Sequence, residues 1–226
     1  MTDNIKEGLK LYKEKHYDQA LYYFDEENPL EHPINAYYMG LSHLCLEHWD
    51  ETLELLDVVL LKDEDLLRIL HCQILKGFVL IQQENWSGAE TWLRQVVLEG
   101  TDGSQVQSLL GYALFRQGRR VEGLKHLNQA LKMDPTNMNV MNSLGYLLAE
   151  EGVHLSKALG LVRKAHFSDP ENPAYLDSLG WVLYKMNQPV QAQTYLEKAL
   201  KKKSHPQIQI HLEELHRNLG KSGLIR

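Results

Sequence analysis

Cysteine is nearly absent from this sequence. Cys45 and Cys72 are the two in 226 residues, too few for a disulfide framework. Long apolar runs are missing as well. No uncharged stretch approaches the ~18 residues that a spanning helix requires, and the most apolar segment, residues 66–81, is interrupted by Arg68 and Lys76. Insertion into a membrane is therefore not expected. The opening MTDNIKEGLK has no apolar core behind its charges, so a secretory signal is not expected either, and a reduced, cytoplasmic setting fits. Cations are the minority, 24 Lys and Arg against 30 Asp and Glu, for a net charge of −6. Nucleic acid is not an expected partner, because phosphate binding calls for clustered Lys and Arg. The one basic run, Lys201-Lys202-Lys203, falls where a last helical turn would lie and cations favour the dipole.

Catalytic signatures are lacking too. There is no G-x-S-x-G elbow, phosphate-binding loop or dinucleotide fingerprint. Asp177 beside Ser178 has no histidine placed near it by sequence. Eleven histidines are present, densest at His43, Cys45 and His48, then His71 and Cys72. On a helix, residues five apart such as His43 and His48 do not share a face; His43 stands at a repeat packing position and His48 at a turn, so no zinc site is expected. His211 and His216 are also five apart and lack the HExxH spacing. No catalytic residue, metal ligand or cofactor is expected.

What is there is a period. Glycine recurs at Gly8, Gly40, Gly77, Gly111, Gly145 and Gly180, inside apolar runs such as SLLGYALF and NSLGYLLA. Twelve or thirteen residues later comes a small residue: Ala20, Ala89, Gly123, Ala158 and Ala192, with Thr52 the exception. Four further on lies a large one: Phe24, Leu56, Leu93, Leu127, Val162 and Leu196. Ala192, Tyr195, Leu196 and Ala199 stand at i, i+3, i+4 and i+7, which is one helical face. Breakers at 28–33, 133–137, 168–173 and 204–206 separate the copies, and Asn172-Pro173 has the form of an N-cap with proline at the first helical position. The chain is expected to be all-α, built of helix pairs. A helix-interior glycine costs about 1 kcal/mol against alanine. Close approach of two backbones would offset it, Gly180 meeting Ala192 and Gly145 meeting Ala158, with the large residue filling the gap toward the next pair.

LGYALFRQGRRVEGLKHLNQALKMDP, LGYLLAEEG with KALGLVRKAHFSDP, and LGWVLYKMNQPVQAQTYLEKAL resemble the tetratricopeptide repeat, over residues from about 3 to 220, and the last two resemble bacterial members. Departures include Thr52, the acidic KDEDL connector, and one extra residue near Val153-His154. The resemblance implies a right-handed superhelical solenoid of about six helix pairs plus a C-terminal capping helix. It would be one domain over 1–226, with repeats near 1–33, 34–68, 69–103, 104–137, 138–172 and 173–205 and the cap at 206–220. In the cap, Ile208, Leu212 and Leu215 form the apolar stripe and Gly220 the stop.

The resemblance further implies a concave groove lined by the first helix of each pair. Carried onto this chain, the inward set includes Tyr12, Tyr37, Tyr38, Leu41, Ile74 and Phe78. It continues with Tyr112, Phe115, Asn139, Asn142, Tyr146, Asp177, Trp181 and Tyr184, although any one aromatic could instead pack between neighbouring first helices. These positions lack the Lys, Asn and Arg clamp with which some relatives hold acidic C-termini, so an apolar or aromatic peptide or helix is the expected partner. The implied function is a non-enzymatic scaffold or adaptor in the bacterial cytoplasm, with self-association possible. The alternative is a cytoplasmic chaperone of a secretion or assembly system; a small-molecule sensor would need a closed pocket. Trp181 and Tyr112 are the expected anchors, whose truncation would weaken binding more than stability.

Overall fold

The computed structural model describes residues 2–28 and 31–221; part of the 28–33 breaker lies outside them. Thirteen α-helices and no strand occur among the described residues. They are α1 Asp3–Lys13 and α2 Tyr17–Asp25, α3 Pro33–Cys45 and α4 Trp49–Lys62, α5 Leu66–Gln82 and α6 Trp86–Leu98. Then come α7 Ser104–Arg116 and α8 Arg120–Met133, α9 Met138–Glu150 and α10 Leu155–Ser168, α11 Pro173–Lys185 and α12 Pro189–Lys202, and finally α13 Pro206–Lys221. The all-α, helix-pair architecture agrees with the sequence pattern. Every recurrent glycine lies in the first helix of a pair, and every small and large partner in the second. Gly220, expected as a stop, lies inside the last turn of α13. Spatially the pairs fall into two compact units: Met1–Asp102 with Arg116–Gly118, and Gly103–Phe115 with Arg119–Arg226.

Local chemistry explains the ends of the elements. Asn172 accepts hydrogen bonds from the amides of Ala174 and Tyr175, with Pro173 at the first position. Asp65 and Asn137 cap α5 and α9 the same way. The turn inside each pair recurs. A residue in the left-handed region, Lys15, Glu47, Glu84, Gly118, Gly152 or Asn187, follows the first helix. The next amide then bonds back five residues: His16 to Leu11, His48 to His43, Asn85 to Leu80, Arg119 to Leu114, Val153 to Leu148 and Gln188 to Leu183, all at 2.8–3.0 Å. This is the Schellman closure of a helix. The extra residue of the fifth repeat appears as His154, itself left-handed at φ 50°.

The glycines sit where approach is closest, and the expected small residue is met at Gly111, Gly145 and Gly180, but the large residue is placed differently from expectation. A β-carbon on Gly180 would lie 2.7 Å from Leu196 and 3.1 Å from the Ala192 carbonyl oxygen; on Gly145, 2.6 Å from Val162 and 3.0 Å from the Ala158 carbonyl oxygen. On Gly8 it would meet Phe24 at 2.5 Å and on Gly77 Leu93 at 2.7 Å. The large residue therefore seats on the glycine of its own pair rather than toward the next one, while the small residue lets the backbone come near. Phe24, Leu56, Leu93, Leu127, Val162 and Leu196 are all fully buried. Gly111 and Gly123 face each other, each β-carbon position lying 2.5–2.8 Å from the other's carbonyl oxygen.

Glycine-to-alanine substitutions should therefore differ in sign. Gly123→Ala forces backbone apart and is expected to destabilise by about 1–3 kcal/mol. Gly160, helical with open space around it, should gain about 0.5–1 kcal/mol on replacement by alanine. Urea denaturation of the two variants checks the contrast.

Candidate functional site

In the second unit, the first helices α7, α9 and α11 together with α13 line a concavity of about 320 Å³. Tyr112 comes from α7, and Asn142, Ser143 and Tyr146 from α9. Pro173, Ala174, Asp177 and Ser178 come from α11, Lys203 and His205 from the connector, and Gln207 and Ile208 from α13. Four of the eight expected residues of this unit, Tyr112, Asn142, Tyr146 and Asp177, thus share one hollow. Their positions follow from helical spacing: each lies three before or one after a glycine already held against its partner helix.

A polar cluster closes one side. His211, 1% exposed, places Nδ1 2.8 Å from Asp177 Oδ1 and stacks its ring on Trp181, centroids 4.0 Å apart. Its Nε2 lies 2.9 Å from Gln207 Nε2 and 3.4 Å from the Tyr146 hydroxyl. Because the carboxylate accepts and the Gln207 amide donates, both bonds fit a neutral ring protonated at Nδ1. A histidine therefore does reach Asp177, contrary to the sequence reading, which compared only neighbours along the chain. Its outer nitrogen is occupied by Gln207, so the pair is engaged on both sides of the ring. What it does is fasten α13 to α11.

Several expected groove residues are covered. Trp181 is 3% exposed, sealed by His211, and its Nε1 is buried without a hydrogen-bond partner. Phe115 is 5% exposed in the core of its unit. Neither offers a ring face to a partner, so both are core residues here. Tyr184 hydrogen-bonds Glu214 and Asn218 on α13, and Asn139 accepts from the Tyr175 hydroxyl at 2.6 Å. These two are engaged between helices rather than turned to the hollow.

In the first unit the expected aromatics form a ladder. Tyr17, Tyr12, Tyr38, Tyr37 and His71 follow one another with centroids 5.1–5.8 Å apart. The Tyr37 hydroxyl lies 2.7 Å from His71 Nδ1. Burial pushes the Tyr37 hydroxyl up to about 12 and holds His71 below the ordinary histidine range. The phenol is thus the donor and the neutral imidazole the acceptor at neutral pH. Leu41 and Ile74 are buried, and Phe78 meets Trp49 edge-on. Cys72 is buried and its thiol raised to about 12, mainly by desolvation, which makes it unreactive.

The sequence reading missed Gln207, Ile208, Lys203 and His205 as parts of the hollow and His211 as the buried partner of Asp177. His211 had a legible signal: it stands with Ile208, Leu212 and Leu215 at i, i+3, i+4 and i+7, on the apolar face of α13.

No family model matches the chain. Over 90 residues, 40% of its length, it is 36% identical to a TPR repeat-containing protein of Pseudomonas aeruginosa, and the matched part is 15% of that protein. A tetratricopeptide repeat protein from Parabacteroides merdae superposes with a TM-score of 0.75 at 12% identity, covering 94% of this chain and 83% of that one. A chain of the APC/C hetero-tetramer Cut9–Hcn1 superposes at 0.74 with 13% identity, covering 94% and 42%. A fragment of MamA from Desulfovibrio magneticus superposes at 0.61 with 21% identity, covering 75% and 97%. At these identities the likeness is one of fold. Among the described residues, no helix is long and apolar enough to cross a membrane.

Replacing His211 by leucine strands a buried carboxylate and is expected to cost on the order of 3 kcal/mol. Adding Asp177→Leu should recover part of that loss, because both polar partners are then gone. A double-mutant cycle read by urea denaturation measures it.

Proposed function

We propose that this chain, a tetratricopeptide repeat protein, is a non-enzymatic scaffold that takes a segment of another protein into the hollow of its second unit. The supporting observation is the convergence of Tyr112, Asn142, Tyr146 and Asp177 in one concavity. A hollow of this size suits one or two anchor side chains rather than a whole helix. Tyr112, Tyr146 and Ile208 supply apolar walls, so the anchor is apolar or aromatic. Asn142, Ser143 and Ser178 supply hydrogen-bonding groups for the backbone beside it.

The proposal places the protein in the bacterial cytoplasm; its two free cysteines and the Pseudomonas relative support that setting. The Asp177–His211 pair, capped by Gln207 and committed to holding α13, supports a binding role over hydrolysis. A chaperone for an export substrate would use the same hollow on an unfolded chain, and co-expression solubility separates it from motif recognition.

Peptides selected from a random display library against the intact chain provide the test. Tyr112→Ala is expected to weaken the selected peptides at least tenfold, a loss of about 1.4 kcal/mol, with a smaller change in the urea midpoint. Phe115→Ala should do the reverse, lowering stability by about 3–5 kcal/mol. Peptides that bind Tyr112→Ala and Asn142→Ala as well as the parent would refute the site.

A further inference from the structure

The second repeat breaks a rule that the other five keep. In each pair, the carbonyl that receives the closing hydrogen bond of the turn belongs to a leucine: Leu11, Leu80, Leu114, Leu148 and Leu183. In the second pair it belongs to His43. The Schellman closure brings the side chains of its two bonded residues together, which is why an apolar contact commonly accompanies it. Here the second residue is also a histidine, His48. The two imidazoles, five apart in sequence, one in the last turn of α3 and the other at the N-cap of α4, face each other with Nδ1 atoms 3.1 Å apart.

We propose that His43 and His48 form a two-histidine site for a divalent late first-row transition cation, with Zn²⁺ and Cu²⁺ the natural occupants. Two nitrogens bound to one ion at about 2.0–2.1 Å lie about 2.9 Å apart at a right angle and about 3.3 Å apart in a tetrahedron; the observed separation falls between. Two protons do not fit between Nδ1 atoms this close. One ring already presents a bare lone pair, and moving the other proton from Nδ1 to Nε2 frees the second, after which a turn of each ring brings both onto one ion. Imidazole is the ligand that suits these ions.

The surroundings favour a cation. Glu51 and Asp25 are the negative groups acting on His43. Among the described residues no three His, Cys, Asp or Glu stand together as a metal cluster; the pair supplies two ligands and water completes the shell. The turn's backbone bonds, His48 N to His43 O at 2.9 Å and Glu47 N to Leu44 O at 3.2 Å, hold the two residues side by side before metal arrives.

Calorimetric titration of the untagged chain with ZnCl₂ and CuCl₂, with MgCl₂ as control, tests this. The expected result is one equivalent of Zn²⁺ or Cu²⁺ per chain and none of Mg²⁺, with a higher melting temperature in Zn²⁺. His43→Leu installs the residue of the other five repeats, and His48→Asn the residue of the third; circular dichroism should show both folded. Each should weaken binding at least tenfold, and His43→Leu should melt no lower than the parent while losing the rise with Zn²⁺. No stoichiometric binding, or unchanged affinity in either variant, would overturn the proposal.

Discussion

A large apolar side chain resting on a helical glycine is the contact from which the rest follows. Phe24, Leu93, Val162 and Leu196 each fill space that a β-carbon on the opposing glycine would claim. Glycine inside a helix is unfavourable by about 1 kcal/mol. Burying a leucine or phenylalanine returns about 1.5–3 kcal/mol, so the exchange is favourable at each pair. It also fixes register: once the glycine face is committed to the second helix, the positions three before and one after it must lie along the neighbouring face. Tyr112, Asn142, Tyr146 and Asp177 share a hollow because each is tied to such a glycine.

The interhelix gap is graded by the small residue. With Gly123 the facing carbonyl oxygen comes within 2.8 Å of the β-carbon position on Gly111; with Ala158 and Ala192 the distance is 3.0–3.1 Å. At the second pair, Thr52 stands in the small position and no atom approaches that of Gly40 closer than 3.4 Å. Thr52 is tolerated in full burial because its hydroxyl donates to the His48 carbonyl at 2.7 Å, satisfying a group that would otherwise be stranded.

The fold was legible because its signal is repeated. A glycine and a large residue recur at near-constant spacing six times, five of them with a small residue between, and chance does not supply that. The site was legible only in part. Helical spacing identified the face to which Tyr112, Asn142 and Tyr146 belong, since that depends on residues within one helix. It could not show that α13 would cover Trp181 and engage Tyr184, because the covering residues come from 30 or more positions away. Phe115 carries the same spacing as Tyr184 yet ends in the core, so periodicity alone does not separate a groove residue from a buried one. His43 and His48 escaped for a different reason. Reasoning on a single helix places residues five apart on different faces, whereas here a helix end and a left-handed residue fold the chain back between them.

α13 therefore does more than present a charged outer face. Its apolar side, Ile208, Leu212 and Leu215, is buried in the second unit, and His211 on that same side carries a polar group into the core. Such a group is tolerable only if satisfied, and Asp177 and Gln207 satisfy it. A leucine at 211 would bury more apolar surface but would leave Asp177 unpaired, so the helix is selected for its match to α11 rather than for hydrophobicity alone. That match positions Gln207 and Ile208 on the rim of the hollow. The element that ends the stack thereby forms one wall of the surface on which the proposed binding depends.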